Sequence, residues 1–427
     1  MKVLVLDLTH GGDILALEYA RKGHWATAVD IYHTAPSVMC KDLRSKGVDV
    51  RESAPDETFD LGVAPIHCPE RFFGTARCAR KITHHQAVGE LASFRFPIVE
   101  VTGARGKTTT CHLIARILAD QGKRVLLLTS GGLSMVGPNG ATVLKGKVSI
   151  APPTILTLVG KNYDVDVGVF EISLGGTGLA SVSVVTNIGD DYAIAQNTRR
   201  AFDGKVQMVR FARGAVVYPE EERKLWEPHV DRAAESITFG KCSDVEALLS
   251  DLELGTSAKL TVRTGVNVSR TNLHPNYLAP SYMTAFGAAA AAAYAMGVST
   301  DDIAASFGAF KGAAGRGDVS VENGLVTVRE RNPGVSAASI GWDLDGLETC
   351  GCRDIDVIVD PVNAKVCEKL DLTAVRRAAE RPAVKGLYLL APEGWSGPHD
   401  GFEIISNIDD VRQRHEVMMW CTKEGYL

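Results

Sequence analysis

Short apolar runs alternate with amphipathic stretches along the chain, and the N-terminal part already shows this pattern. Its apolar runs, each typical of a buried strand, lie at residues 3–8, 26–31 and 61–63. The first run ends near the turn signal Gly11-Gly12, and helical periodicity follows over residues 14–22. A strand, a loop and a helix in this order predict a small N-terminal α/β domain over residues 1–92.

A second series of the same kind makes up the middle of the chain. Its strand patterns lie at residues 98–102, 124–128, 167–172 and 182–187. A glycine-containing loop and a helical pattern over residues 108–120 follow the first of them. Strands that alternate with helices predict a mainly parallel sheet covered by helices. We assign this central domain to residues 93–313.

The last part of the chain repeats the alternation. An alanine-dense stretch over residues 284–296 predicts a buried helix, and Asn323-Gly324 predicts a hairpin turn. Patterns for a strand, a helix, a strand and a helix then follow at residues 357–359, 372–380, 386–390 and 409–420. We therefore expect a third α/β domain over residues 314–427.

Composition narrows the possible classes of protein. The 427 residues are 45 % apolar and 23 % charged, which excludes a disordered or fibrous chain. A net charge of −5 is not typical of a protein that coats nucleic acid or binds a membrane through basic residues. There is no apolar run of transmembrane length and no secretory signal pattern, and the nine dispersed cysteines indicate reduced thiols. We expect a cytoplasmic protein.

The strongest chemical signal is the segment GARGKTTT at residues 103–110, between a predicted strand and a predicted helix. Glycines let backbone N–H groups approach phosphate oxygens, and the helix N-terminus adds partial positive charge. Lys107 would bridge the terminal phosphates of ATP, and the Thr108 hydroxyl would bind Mg²⁺. The predicted ATP-binding residues here are Gly103, Ala104, Arg105, Gly106, Lys107, Thr108 and Thr109. A glycine turn before an ordinary helix is the alternative.

With four later segments in the same order, this loop resembles the Mur ligases and folylpolyglutamate synthetases, which activate a carboxylate with ATP. The segments are APPT at 151–154, FEIS at 170–173, TNIGDD at 186–191 and GRGD at 315–318, with NPG following at 332–334. The resemblance implies a three-domain α/β Mur ligase-like architecture, in which a central P-loop domain is flanked by smaller Rossmann-like domains.

The resemblance also implies roles for individual residues. Glu171 and Asp191 would hold Mg²⁺ with Thr108, and Pro153 would line the site. The additional residues implied to contact the nucleotide are Asn187, Arg316 and Asn332. Lys205 lies near a lysine that many members carbamylate, which would make it catalytic together with Lys107 and Glu171. A salt-bridged carboxylate at Glu171 and a plain surface lysine at Lys205 are the alternatives, and Tyr192 replaces the histidine of the family pattern.

A basic and aromatic segment over residues 71–85 is a candidate substrate site. Arginines and histidines interleaved with Phe72 and Phe73 suit a flat apolar ligand that carries several carboxylates. The candidate substrate-binding residues there are Arg71, His84 and His85, and His10 lies in another candidate loop. A solvated basic helix face is the alternative.

Within the family, the whole pattern resembles members that complete a nickel tetrapyrrole. That resemblance implies ATP-dependent activation of a propionate side chain, followed by ring closure through an internal carbon nucleophile. Nickel would arrive only as part of this small-molecule substrate. An amide-forming ligase that adds an amino acid to an acidic acceptor, a P-loop kinase or NTPase, and a non-catalytic binding module are the alternatives. The sequence leaves a monomer and a homodimer open.

Overall fold

The computed structural model describes residues 1–189, 191–332, 334–360, 370–391, 399, 401–411 and 416–423. These residues form two compact units. The first comprises Met1–Val245 and Gly287–Val298, and the second comprises Glu246–Phe286 and Ser299–Leu427. The division into three domains at residues 92 and 313 stays a prediction.

The N-terminal part of the first unit is a parallel five-stranded sheet with helices. Its strands are β1 (Lys2–Leu6), β2 (Trp25–Val29), β3 (Asp49–Arg51), β4 (Thr58–Ala64) and β5 (Arg77–Thr83). Its helices are α1 (Asp13–Arg21), α2 (Ser37–Ser45) and α3 (His84–Leu91). The strand order is β3-β2-β1-β4-β5. From β1 the chain continues to β2 and β3 on one side of the sheet, and β4 and β5 then extend the sheet on the other side of β1.

A second sheet follows in the same unit. Its strands there are β6 (Ile98–Thr102), β7 (Val125–Thr129), β8 (Gly132–Gly137), β9 (Gly140–Gly146), β10 (Val167–Glu171), β11 (Val182–Val185), β14 (Ala215–Pro219) and β15 (Glu235–Phe239), with a separate pair β12 (Ala193–Ile194) and β13 (Arg199–Arg200). The helices are α4 (Lys107–Asp120), α5 (Ala201–Arg210) and α6 (Arg223–Trp226). Strand β6 is central because it pairs in parallel with β10 on one side and β11 on the other. The carboxyl ends of these three strands therefore meet at one edge.

The strands after β15 are β16 (Val245–Ser250), β17 (Lys259–Thr264), β18 (Asn267–Asn272), β19 (Arg316–Glu322), β20 (Leu325–Asn332), β21 (Ile355–Asp360), β22 (Val384–Leu390), β23 (Glu403–Ile405) and β24 (Val417–Lys423). Strands β19 to β24 build a separate six-stranded sheet in the order β19-β20-β24-β21-β22-β23. The helices are α7 (Met283–Ala295), α8 (Thr300–Ala309), α9 (Ala337–Thr349) and α10 (Leu372–Ala379). The α/β class that the sequence predicts is confirmed.

One predicted element is wrong. Of the helix expected over residues 409–420, residues 412–415 lie outside the described part of the chain, and residues 417–420 belong instead to strand β24. This strand lies between β20 and β21 and pairs in parallel with both. Met419 and Cys421 are fully buried there. A central strand that is covered on both faces carries apolar residues in succession, without alternation. An apolar run of this kind does not distinguish a buried strand from a buried helix.

The alanine-dense stretch forms helix α7, as predicted, and its alanines from Ala288 to Ala293 are fully buried. Small side chains allow close approach of neighbouring backbones at such a helix. Among the described residues, no helix has both the length and the apolar character required to cross a bilayer.

Glu100 is an ionisable group inside the second sheet. It lies on β6 and is fully buried, where it accepts hydrogen bonds from the Thr177 backbone N–H at 2.9 Å and from the Thr177 hydroxyl. Burial raises the pKa of this carboxyl from 4.5 to about 6. Folding therefore favours the protonated form, and stability falls by about 2 kcal/mol as the pH rises through this interval.

We expect Glu100→Gln to remove this pH dependence, because glutamine keeps an acceptor for Thr177 and carries no charge to desolvate. The variant should gain stability relative to the parent above pH ~6 and gain none below pH ~4.5. Urea unfolding at both pH values measures the difference, with the exposed, ion-paired Glu90→Gln as control. An equal difference at both pH values would show that the Glu100 carboxyl does not titrate in this way.

Candidate active site

The phosphate loop, residues 103–107, connects the carboxyl end of β6 to the start of α4. Gly103 and Gly106 have φ values of +143° and +77°, in a region that side chains strongly disfavour. A Cβ on Gly103 would stand 2.0 Å from the Thr186 hydroxyl, so this position requires glycine. The loop conformation is therefore built for backbone N–H groups to face a phosphate.

A segment after β11 braces the phosphate loop. Ala104 donates its backbone N–H to the Asn187 carbonyl at 2.9 Å, and Arg105 donates to the Asn187 side-chain oxygen at 3.3 Å. The Thr186 hydroxyl donates to the Arg105 carbonyl. Asn187, which is predicted to contact the nucleotide, thus stabilises the conformation of the phosphate loop. Its direct contact with nucleotide stays a prediction.

The two polar residues that begin α4 lie where their predicted roles require them. Lys107 Nζ donates to the Gly103 carbonyl at 3.0 Å, so the ammonium lies over the phosphate loop. Thr108 Oγ1 donates to Glu171 Oε2 at 3.0 Å, although the two residues are distant in sequence. Thr109 is buried in the first helical turn.

Glu171 ends strand β10 and is 2 % exposed. Besides the Thr108 hydroxyl, its Oε2 accepts the backbone N–H of Ser130 at 3.0 Å. The Ser130 hydroxyl lies 3.4 Å from that of Thr108. Carboxylate and hydroxyl oxygens are the hard donors that Mg²⁺ takes, so this set fits a magnesium ion beside the phosphate loop. Ser130 belongs to no motif, and its place follows only from the pairing of β7 with β10.

Lys205 lies in α5 and is 1 % exposed, so the alternative of a surface lysine is wrong. Its Nζ lies 4.9 Å from the centre of the Tyr192 ring, and within the described part of the chain no hydrogen-bond acceptor reaches it. Burial and, to a smaller extent, the positive charge of Lys107 lower the pKa of this ammonium to about 8. The fold therefore brings Lys205 into the electrostatic field of the phosphate loop, as the family pattern implies.

Asp191 is hydrogen-bonded to the start of α5. Its two oxygens accept the Phe202 backbone N–H at 2.8 Å and Arg200 Nε at 3.2 Å, which fixes the start of α5. This geometry gives Asp191 a positioning role, and its predicted role as a metal ligand stays a prediction.

Glu222 is a residue that the sequence analysis missed. Its Oε1 accepts the Ile188 backbone N–H at 2.8 Å, and its Oε2 accepts Trp226 Nε1 at 2.7 Å. Burial raises the pKa of this carboxyl. Glu222 thus holds the segment that braces the phosphate loop, and no spacing in the sequence connects it to that segment.

His84 and His85 do not form a basic surface. They begin α3, are 1 % and 2 % exposed, and place Nε2 3.1 Å from the Leu6 carbonyl and 2.7 Å from the Ser173 carbonyl, respectively. Burial lowers their pKa values to about 3 and about 4, so both rings are neutral near pH 7. The prediction that they bind substrate does not fit these positions, because neither ring reaches the surface.

The other candidate substrate-binding residues differ in their exposure to solvent. His10 and Arg71 are exposed, and Arg71 contacts the Gln196 side chain. Pro153 is buried against Gly11, where a Cβ on the glycine would stand 2.8 Å from Pro153 Cβ. The loop that carries His10 therefore packs on the APPT segment at residues 151–154.

Arg316 and Asn332 belong to the second unit and lie near each other around Gly315. Asn332 Nδ2 donates to the Gly315 carbonyl at 2.9 Å, and the Arg316 carbonyl accepts the Tyr282 hydroxyl at 2.6 Å. Asn332 also donates to Glu330, whose carboxyl pKa is raised by burial. Their contact with nucleotide stays a prediction.

The chain is similar in sequence to known proteins. The Mur ligase middle domain matches residues 101–289. Coenzyme F(430) synthetase of Methanosarcina acetivorans is 34 % identical over 424 residues, which span 91 % of this chain and 89 % of the relative. The enzyme of the same name from Methanocaldococcus jannaschii is 29 % identical over 226 residues, which span 49 % of this chain and 50 % of that protein.

A solved structure of MurF ligase from Thermotoga maritima in complex with ADP has the same fold. It superposes with a TM-score of 0.60 at 14 % identity, covering 96 % of this chain and 94 % of that one. The sequence match to the M. acetivorans relative extends beyond the middle domain to most of the chain. The chain therefore belongs to the Mur ligase family of ATP-dependent ligases.

Proposed function

We propose that this ligase activates a propionate carboxylate of a nickel seco-tetrapyrrole as an acyl phosphate and then closes the last carbocyclic ring. The products are coenzyme F430, ADP and phosphate. The observation that carries the proposal is the 34 % identity to a coenzyme F(430) synthetase over 91 % of this chain. The Thr108–Glu171 pair beside the phosphate loop supports the proposal, because its oxygens suit the Mg²⁺ that phosphoryl transfer from ATP uses.

Activation requires a phosphoryl group to pass from ATP to a carboxylate oxygen, and repulsion between the two anions opposes this transfer. Lys107 is positioned to offset that charge at the terminal phosphates. Thr108 and Glu171 would hold a magnesium ion, which when bound neutralises phosphate charge. The phosphate loop orients the nucleotide through its backbone N–H groups.

Ring closure then takes place within one molecule. The internal carbon attacks the acyl carbon, the bond to the phosphate oxygen breaks, and phosphate leaves with the electron pair. Because both reacting groups belong to the same substrate, no separate amine has to bind. Holding the two ends of the substrate together supplies a large part of the rate.

The test is incubation of the protein with ATP, Mg²⁺ and the nickel seco-precursor, following macrocycle absorbance and released phosphate. We expect one phosphate for each ring closed, with no amine present. Phosphate release that requires an added amino acid would identify an amide-forming ligase instead, and release without precursor would identify a simple NTPase.

Lys205 contributes a catalytic carbamate in this proposal. A pKa of about 8 leaves part of the amine neutral near physiological pH, and only a neutral amine adds CO₂. The carbamate would place a negative charge in the field of Lys107 and supply oxygens for a cation. A buried ammonium without a hydrogen-bond acceptor among the described residues fits a group that is modified in the working enzyme.

We expect Lys205→Ala to lower ATP turnover at least ~10²-fold, because the variant lacks the proposed carbamate. The fold should be retained, because the change removes a buried charge that has no hydrogen-bond acceptor among the described residues. Acetate should restore part of the activity by placing a carboxylate in the space vacated by the lysine side chain. Turnover measured against acetate concentration tests this, with the exposed Lys224→Ala as control. Full activity of Lys205→Ala, or no response to acetate, would exclude the carbamate.

A further inference from the structure

A polar cluster lies at the carboxyl edge of the N-terminal sheet. Asp7 follows β1 and His67 follows β4, the two neighbouring strands from which the chain runs to opposite sides of the sheet. In open α/β sheets, ligands bind at this crevice outside the carboxyl ends of the strands. The position of the cluster therefore marks a binding site within the first unit.

Asp7 is the buried centre of the cluster. Its side chain is 1 % exposed, and Oδ2 lies 2.7 Å from His10 Nδ1 and 3.5 Å from His67 Nε2. Its other oxygen accepts the Thr9 hydroxyl at 3.1 Å. The backbone of Asp7 has φ +68°, a left-handed conformation that non-glycine residues rarely adopt and that concentrates at functional sites.

His10 is oriented by this carboxylate. The 2.7 Å contact uses Nδ1, so Nε2 is the nitrogen on the opposite side of a ring whose side chain is 53 % exposed. The rings of His67 and Tyr32 lie edge-on to it at centroid distances of 5.0 and 6.4 Å. Phe72 packs against Tyr32 at 5.5 Å and carries the Arg71 guanidinium over its face. An imidazole within an aromatic and basic rim suits a flat, carboxylate-bearing ligand.

The His10 loop is also connected through direct contacts to the strand that ends in Glu171. Gly11 packs on Pro153, as described above, and Ile150 in the segment before that proline accepts the Ser173 backbone N–H at 3.1 Å. Ser173 lies two residues after Glu171, and His85 bonds its carbonyl. A short series of direct contacts therefore connects His10 to the end of β10.

We propose that His10, held by Asp7, is the catalytic base that accepts the proton released by the carbon nucleophile during ring closure. This inference rests on the proposed function. The new carbon–carbon bond forms as the bond from the acyl carbon to the phosphate oxygen breaks. Phosphate leaves with that electron pair, the C–H proton moves to His10 Nε2, and the Asp7 carboxylate stabilises the resulting imidazolium.

A metal ion held by Asp7, His10 and His67 is the competing use of the cluster, since their three ligand atoms lie within 4.8 Å of one another. The 2.7 Å separation of Oδ2 and Nδ1 is that of a direct hydrogen bond between carboxylate and imidazole, which favours the proton-transfer role. Stoichiometric Zn²⁺ or Ni²⁺ binding to the full chain, lost in His10→Gln, would overturn the proposal.

The decisive experiment separates the two halves of the reaction in single turnovers. His10→Gln should form ADP at close to the parent rate while ring closure falls ~10²- to 10⁴-fold. The accumulated acyl phosphate should be trapped by hydroxylamine as a hydroxamate. His24→Gln is the matched control, because His24 lies before β2 at the opposite edge of the sheet.

Two further variants exclude a purely structural effect. Imidazole added to His10→Ala should restore ring closure, since it supplies the missing base. Asp7→Asn retains a side chain that tolerates the left-handed backbone but removes the charge. The hydrogen bond from Asp7 raises the pKa of His10, and among the described residues His67 and Tyr32 also face that ring. Asp7→Asn should therefore move the pH dependence of ring closure to lower pH.

The outcomes distinguish the inference from the function on which it rests. Ring closure by His10→Gln at the parent rate, or no effect of imidazole on His10→Ala, would refute the base. No ADP from the parent protein with the nickel seco-precursor would instead refute the proposed substrate.

Discussion

Lys107→Ala should reduce ATP turnover by at least ~10³-fold while leaving the protein folded. The side chain lies over the phosphate loop through its bond to the Gly103 carbonyl, so it is placed to meet the terminal phosphates. Removing it takes away a positive charge that would stabilise the transferring phosphoryl group. The backbone of the loop is braced independently by Asn187 and Thr186, which is why folding should survive.

The measurement is ADP formation with saturating precursor, together with the thermal midpoint of unfolding. Lys123→Ala, an exposed lysine just after the same helix, is the matched control and should behave as the parent protein does. Turnover by Lys107→Ala within a few-fold of the parent would remove the phosphate loop from the mechanism.

Glu171→Gln should lower turnover ~10²- to 10³-fold and raise the Mg²⁺ concentration needed for half-maximal rate. Glutamine has nearly the same shape and still offers one oxygen to Ser130 and Thr108. It removes the negative charge that makes Glu171 a ligand for a hard cation. The loss should therefore be partly reversed by excess Mg²⁺, which a general packing defect would not show.

Turnover across a Mg²⁺ series separates these effects. Asp164→Asn is the control, since this carboxylate is 83 % exposed and pairs with Arg124 at the surface. An unchanged Mg²⁺ dependence in Glu171→Gln would place the cation elsewhere.

The sequence predicted the parts of the molecule that local rules govern. The phosphate loop and its helix follow from the glycines of the loop and the helical pattern after it, and the hairpin turn at Asn323 and Gly324 has the left-handed backbone that its residues favour. The α/β class follows from alternation of apolar runs and amphipathic helices. Each of these signals lies within a few residues of the element it specifies.

The features that could not be predicted from the sequence depend on contacts between residues that are far apart in the chain. Ser130 and Glu222 reach the site through strand pairing and side-chain bonds between segments far apart in the chain. His84 and His85 look like part of a basic surface, but they are buried because α3 packs against the end of β1 and the segment after β10. The apolar run of β24 suits a buried helix as well as a buried strand. Its pairing with β20 and β21 makes it a strand.

The central claim is that ATP activates an organic acid, and isotope transfer tests it directly. A nickel seco-precursor whose carboxylates are enriched in ¹⁸O is converted with unlabelled ATP, and the released phosphate is examined by mass spectrometry. An acyl phosphate intermediate predicts one ¹⁸O atom in each phosphate, because the carboxylate oxygen leaves with phosphorus. Phosphate that carries only the oxygens of ATP and water would contradict the claim.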